Sequence, residues 1–344
     1  MSGDDNTITA RATAQIKRSS RWQIWEIALW ALAVAAIFVL PSKMLILTEI
    51  AILALFAISL DLILGYAGIV SLGHAAFFGL GAYTAGLFAK HYITEPVTGL
   101  VVAGIVSGAF GLATSFLVLR GSDLTRLMTT FGVAMLLGEV VNQAAWLTGG
   151  ADGLSGVTFT PILGFFEFDL WGRTGYIYCL VVIIVLTYVA RRIVNSPFGL
   201  SLKAIKRNPV RASMLGISPT RRIVVIYTIA AAYAGVAGAL LTQTTSFVSP
   251  DVLAFHRSAD VLLVLVIGGV GYLYGGIFGA VIFSILRDWL SMITPQYWMF
   301  WVGLILILIV LIGRERITRW QILLPGSRAR MRRTKVGDAT EDSK

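Results

Sequence analysis

The sequence predicts an all-α polytopic membrane protein with about ten transmembrane helices, some of them Gly-rich and prone to break, and both termini cytoplasmic. Three observations carry this. Of 344 residues, 57% are hydrophobic and 13% charged, with a mean hydropathy of +0.80; a soluble domain carries about 25% charged residues. Apolar runs long enough to span a bilayer recur from end to end. The basic residues collect in alternate gaps between those runs, as the positive-inside rule requires.

Taken in order, residues 1–21 are polar and form an inner tail. The first apolar run, 22–40, contains Ala33, Ala35 and Ala36, which look like a signal-cleavage site. The run is long for a cleaved leader, so an uncleaved first span is expected. A span needs about 20 apolar residues. Further runs lie at 46–65, 69–89, 98–119, 124–147, 175–194, 221–245, 259–273, 275–291 and 297–313, the eighth of the ten being short. An even count returns the chain to the side it started from. Of 28 Lys and Arg residues, only Lys43, Lys90, Arg173, Arg257 and Arg287 then fall outside. Nine spans would put the basic tail 314–344 outside instead. That tail is expected to lie on acidic membrane lipid as far as Lys335. A net charge of +10 would point to nucleic acid in a soluble chain. Here it follows from topology, and no nucleic-acid partner is expected. The one cysteine, Cys179, excludes a disulfide framework.

Two regions depart from plain spans. Residues 65–86 carry Gly65, Gly68, Gly73, Gly79, Gly81 and Gly86; residues 268–279 carry Gly271, Gly275 and Gly279 at spacing four, on one face if helical. Small residues at that spacing let helices approach closely. Dense glycine also suits a broken helix lining a transport path. Both readings stand. The interval 148–174 is the longest outer loop, and its Gly and Pro content rules out a continuing helix.

The interval 196–222 is polar and basic, with no acid. Ser196-Pro197, Asn208-Pro209 and Ser218-Pro219 each mark a helix start: a capping side chain followed by a residue with no N–H to leave unpaired. Gly216 is placed where a left-handed residue would end a short helix, 209–215. Two turns are marginal alone in water, so this helix is expected to be held by neighbours or by a docked partner.

The chain has no P-loop, no H-E-x-x-H and no paired-cysteine spacing, so neither a catalytic site nor a cofactor or metal is expected. Ionisable groups inside spans are costly and are functional candidates. Glu139 lies mid-span with Asn142 three residues on, and His74 lies in the first Gly-rich region. Translocation-path candidates are His74, Glu139, Asn142, Gly79, Gly81, Gly271 and Gly275. Structural accounts compete with each: a hydrogen bond between helices for Glu139, and capping of a broken helix for His74. Asp61 and Asp260 lie near span ends, where a structural role is the plainer account.

LDLILGYAGIVSLGHAAFFGLGAYTAG (60–86), GEVVNQAAWLTGGADGLSGV (138–157), the stretch 196–240 and GGVGYLYGGIFGAV (268–281) together resemble the branched-chain amino acid family of ABC importer permeases, in its LivM-type branch. The resemblance covers roughly residues 45–313 and implies a permease domain over 22–313, with 196–222 as its coupling loop. The coupling helix would comprise Pro209, Val210, Arg211, Ala212, Met214, Leu215 and Gly216. Ala212 and Gly216 match the family's loop signature; its glutamate is missing, with Val210 and Arg211 at the neighbouring positions. The implied partners are a second related permease, two cytoplasmic ATPase subunits and a periplasmic solute-binding protein. The implied solutes are branched-chain amino acids, with urea, other amides and organic acids as neighbours, moved across a bacterial inner membrane. The competing reading is an ATP-independent secondary transporter or channel, disfavoured because intramembrane ionisable groups are few and isolated. A scaffold or receptor would leave the Gly-rich regions explained only as packing.

Overall fold

The computed structural model describes residues 24–312, apart from positions 120, 163, 165, 168, 170, 171 and 294. The two tails, 1–21 and 314–344, lie outside the described residues. The described chain is helical, with two isolated β-bridges. Its helices are α1 (Ile24–Val39), α2 (Met44–Asp61), α3 (Ala75–His91), α4 (Pro96–Val118), α5 (Asp123–Gln143), a short α6 (Ala145–Thr148), α7 (Arg173–Val194), α8 (Pro197–Arg207), α9 (Pro209–Met214), α10 (Pro219–Thr245), α11 (Phe255–Gly268), α12 (Gly275–Ile293) and α13 (Trp298–Ile312). Each expected span overlaps one of these. Among the described residues, six stretches are long and apolar enough to cross a membrane: Pro41–Ala67, α4, α5, α7, α10 and α12. The chain divides into two units, 1–284 and 285–344. The second holds the end of α12 and α13; the first holds both Gly-rich regions and the 196–222 interval.

The centre of the first unit is α10. Its run of Ala230, Ala231, Ala234, Gly235, Ala237, Gly238 and Ala239 is buried, and it packs against α4, α3 and α2. In lipid, helices gain little by hiding apolar surface from one another. Close backbone approach and interhelical hydrogen bonds drive packing instead. A Cβ on Gly238 would overlap the Phe78 carbonyl, and one on Gly81 would overlap the Gly235 backbone. Around these crossings, Ser107 Oγ donates to Phe77 O at 3.2 Å, Thr242 Oγ1 to Ala82 O at 2.9 Å and Gln243 Nε2 to Pro96 O at 2.6 Å.

Both Gly-rich regions are broken. Helix α2 runs on as a π-helical turn, Leu62–Ala67, and stops at Gly68, φ +79. Helix α3 begins only at Ala75. The second break falls between α11 and α12, where Gly269 and Gly271 have φ of 105 and 83. Gly271, Gly275 and Gly279 therefore do not share one helix face. Gly271 sits in the turn, while Gly275 and Gly279 lie on α12 against Gly269 and Val264. Spacing alone does not reveal this, because the first member of the apparent repeat, Gly271, has a positive φ and lies before the helix starts.

At the opposite end the long 148–174 interval is fastened down. Leu154 and Val248 exchange backbone hydrogen bonds of 2.8 and 3.1 Å, and both are buried. Thr160 N–H bonds Thr94 O at 3.1 Å. The loop is non-helical from Gly153 to Gly172 in its described residues.

Candidate functional site

The site is built on two short helices. Ser196 Oγ accepts from the Gly199 N–H at 3.4 Å and starts α8. Asn208 ends α8, and its side chain accepts from the Arg211 N–H at 2.9 Å to start α9. Ser218 makes no such side-chain bond, so only two of the three expected caps form. Helix α9 ends as glycine dictates. Gly216 adopts φ +79, Ile217 N–H reaches back to Ala212 O at 3.2 Å, and Gly216 N–H to Ser213 O at 3.0 Å. This paired closure satisfies carbonyls that a helix end would leave open.

The result is a rigid corner with an unusual surface. Ala212 is buried, whereas Val210, Met214 and Leu215 are 62, 81 and 73% exposed. Between α8 and α9 lies a groove of about 440 Å³, its floor including Leu200, Ala204 and Ala212 and its rim Lys203, Arg207 and Arg211. Three apolar side chains thus stand exposed beside three cations.

Helix α8 is amphipathic, with Leu202 and Ile205 buried and Lys203, Lys206 and Arg207 outward. It rests on the broken end of α2. Lys206 Nζ donates to Gly65 O at 2.7 Å, and Lys203 lies 5.3 Å from the Tyr66 ring centroid. The two helix breaks meet beside it. Gly271 N–H donates to Asp61 Oδ1 at 2.7 Å, and a Cβ on Gly65 would overlap the Asp61 carboxylate. Tyr274, in the same turn, accepts from Arg191 Nη1 at 3.2 Å, and Arg191 also bonds Glu26. The structure thus brings Gly271 and Gly275 to the same end as the α9 corner.

The other path candidates lie elsewhere. His74 is fully buried, stacked on Phe56 with ring centroids 5.5 Å apart. Its Nε2 lies 2.8 Å from Ser59 Oγ, whose proton goes to Phe56 O at 2.6 Å. With that hydroxyl proton committed, Nε2 is the donor of the pair. Gly79 faces Leu253, and Gly81 faces Gly235 in the core. Glu139 and Asn142 stand on the outward face of α5, where Gln143 Nε2 donates to Glu139 Oε1 at 2.8 Å. Leu136 and Val140 beside them, and Trp146 on α6, are exposed. Of α5 only Thr130, Ala134 and Val141 are buried, so this helix turns a mixed polar and apolar stripe away from the rest of the described chain.

Sequence reasoning missed the pairings of Lys206 and Asp61. In the sequence Lys206 is one of six cations in its interval. Asp61 is an acid near a membrane boundary, and nothing in spacing ties it to a glycine 210 residues on. Glu26, Arg191 and Tyr274 likewise carry no local signal that marks them as a group.

A bundle of apolar helices with two broken Gly-rich elements suits a transport permease. A sequence model of the family described as the permease component of branched-chain amino acid transport systems matches residues 42–310. The chain belongs to that family. Within it, the permease is 29% identical over 333 residues to the high-affinity branched-chain amino acid transport system permease protein LivM of Salmonella typhimurium, across 90% of this chain and 76% of that one. The LivM protein of Escherichia coli is 28% identical over the same shares. The fructose import permease protein FrcC of Rhizobium meliloti is 27% identical over 282 residues, 78% of this chain and 77% of its own. No solved structure matches. The permease is of the LivM type and is a multi-pass membrane protein.

Proposed function

We propose that the chain is the membrane-spanning subunit of an ATP-driven importer in a bacterial inner membrane, with ten spans and both termini inside. The observation that carries this is the α8–α9 corner. A six-residue helix, capped at both ends, presents exposed Val210, Met214 and Leu215 beside a cationic groove. A transporter working alone has no use for such a surface on its inner side, and this chain carries no phosphate-binding loop. The ATPase subunit therefore sits on another chain and docks here.

The second permease covers α5. Glu139, Asn142 and Gln143 cannot face hydrocarbon cheaply, so their stripe lines the solute path or the contact with that permease. A periplasmic binding protein delivers the solute above the fastened loop 148–174 and residues 246–257. The names of the relatives favour a branched-chain amino acid, with a sugar as the neighbouring class.

Co-expression with candidate ATPase, second-permease and binding-protein subunits, followed by affinity purification, tests the reading. The expected result is an assembly containing ATPase subunits whose hydrolysis rises with loaded binding protein. Solute uptake by the purified single chain without ATP would instead establish the secondary-transporter reading.

A further inference from the structure

Two broken helices and the docking corner meet through a short series of contacts. Asn208 both ends α8 and starts α9, so the two helices join with no loop between them. Helix α8 carries Lys206, whose ammonium holds the Gly65 carbonyl at 2.7 Å in the last turn before Gly68. A cation there also opposes the negative end of α2. The Lys206 stem covers Gly68, its Cγ 2.9 Å from where a Cβ would stand. One helical turn before Gly65, the fully buried Asp61 accepts the Gly271 N–H at 2.7 Å. The turn it grips contains two positive-φ glycines and is tied at its far end, through Tyr274, to Arg191 of α7.

We propose that Lys206 and Asp61 are positioning residues that carry movement of the ATPase dock into the Gly269–Tyr274 turn between α11 and α12. The inference rests on the reading that α9 docks an ATPase. Lys206 moves the end of α2, Asp61 moves Gly271 with it, and the Tyr274–Arg191 contact is the pivot about which the turn swings. Glycine supplies the backbone freedom that this swing needs. Lys206 lies over Gly65 and Gly68 and does not line the α8–α9 groove. Lys206→Met keeps an unbranched stem over Gly68 and leaves the groove lining unchanged.

The test places a spin label at Tyr272→Cys, a turn residue 68% exposed. The chain's one native cysteine, Cys179, is fully buried. The assembly with its ATPase subunits, their own cysteines replaced, is compared before and after trapping with ATP and vanadate. Trapping is expected to change the label's spectrum in the parent complex. In Lys206→Met the change is lost, although the ATPase subunits stay bound and still hydrolyse ATP. Lys206→Arg, which keeps a charged donor, restores it. An undiminished spectral change in Lys206→Met overturns the relay, as does a parent complex whose label does not respond with ATPase bound. Loss of ATPase binding in Lys206→Met also overturns it, by making Lys206 part of the dock. A parent chain that binds no ATPase subunit overturns the importer reading, and the relay with it.

Discussion

Gly216 shows how much can hang on one backbone angle. No atom lies within 4 Å of where its Cβ would stand, yet its φ is +79. A substitution there meets strain without a clash. Gly216→Val should cost at least about 1 kcal/mol locally. It should weaken ATPase association in pull-downs while membrane insertion stays normal; unchanged association would detach the α9 closure from docking. Glu139 poses the opposite problem, a polar residue on an outward face. Glu139→Leu makes α5 more apolar and should insert as well as the parent. Uptake by the assembled transporter should nonetheless fall roughly tenfold, the scale of losing one hydrogen bond to a charged group. Uptake equal to the parent's would remove Glu139 from the path. Gly216 is legible in the sequence because local chemistry determines it: a proline-started helix two turns long needs a stop, and glycine is the residue that provides one. The surroundings of His74 are not legible, since its contacts come from α2 and depend on how two helices pack.

At the scale of elements, α9 is a six-residue helix that depends on its ends. Asn208→Ala removes the bond to the Arg211 N–H and should cost about 1 kcal/mol. For so short a helix that is a large share of its stability. ATPase affinity should drop by several-fold, and Asn208→Asp, which keeps the acceptor, should restore it; isothermal titration with the ATPase subunit reads both. The helix starts at Pro197, Pro209 and Pro219 can be read directly, because proline and the residue before it constrain the backbone whatever surrounds them. The breaks are legible as glycine-rich regions but not as positions. Gly271 looks like one of three residues on a face, and only the turn between α11 and α12 shows that it belongs to neither helix. The contact between Asp61 and Gly271 joins residues far apart in sequence, and periodicity carries no such information.

At the largest scale, the first unit is organised around α10, whose small residues admit α3 and α4 to near backbone contact. Gly238→Val should destabilise the detergent-solubilised protein by at least about 3 kcal/mol, because the obstacle is the Phe78 backbone and not a side chain that could turn aside. A thermal-unfolding scan monitored by Cys179 labelling should show the lower midpoint. An unchanged midpoint would mean that α10 is not the centre of the core. Helix α10 also has two ends with different neighbours. It begins at Pro219, five residues after α9 closes, and ends at Thr245, three residues before the Val248 bridge to Leu154. At 1.5 Å per residue its 27 residues make a rod of roughly 40 Å. The α9 corner and the Leu154–Val248 bridge thus stand at the two ends of one rod, and in the proposed importer thermodynamic linkage makes the effects of partners bound there reciprocal. If a loaded binding protein seated on the 148–174 loop tightens the hold of the ATPase on α9, then ATPase bound at α9 must tighten the binding protein's hold outside by the same factor.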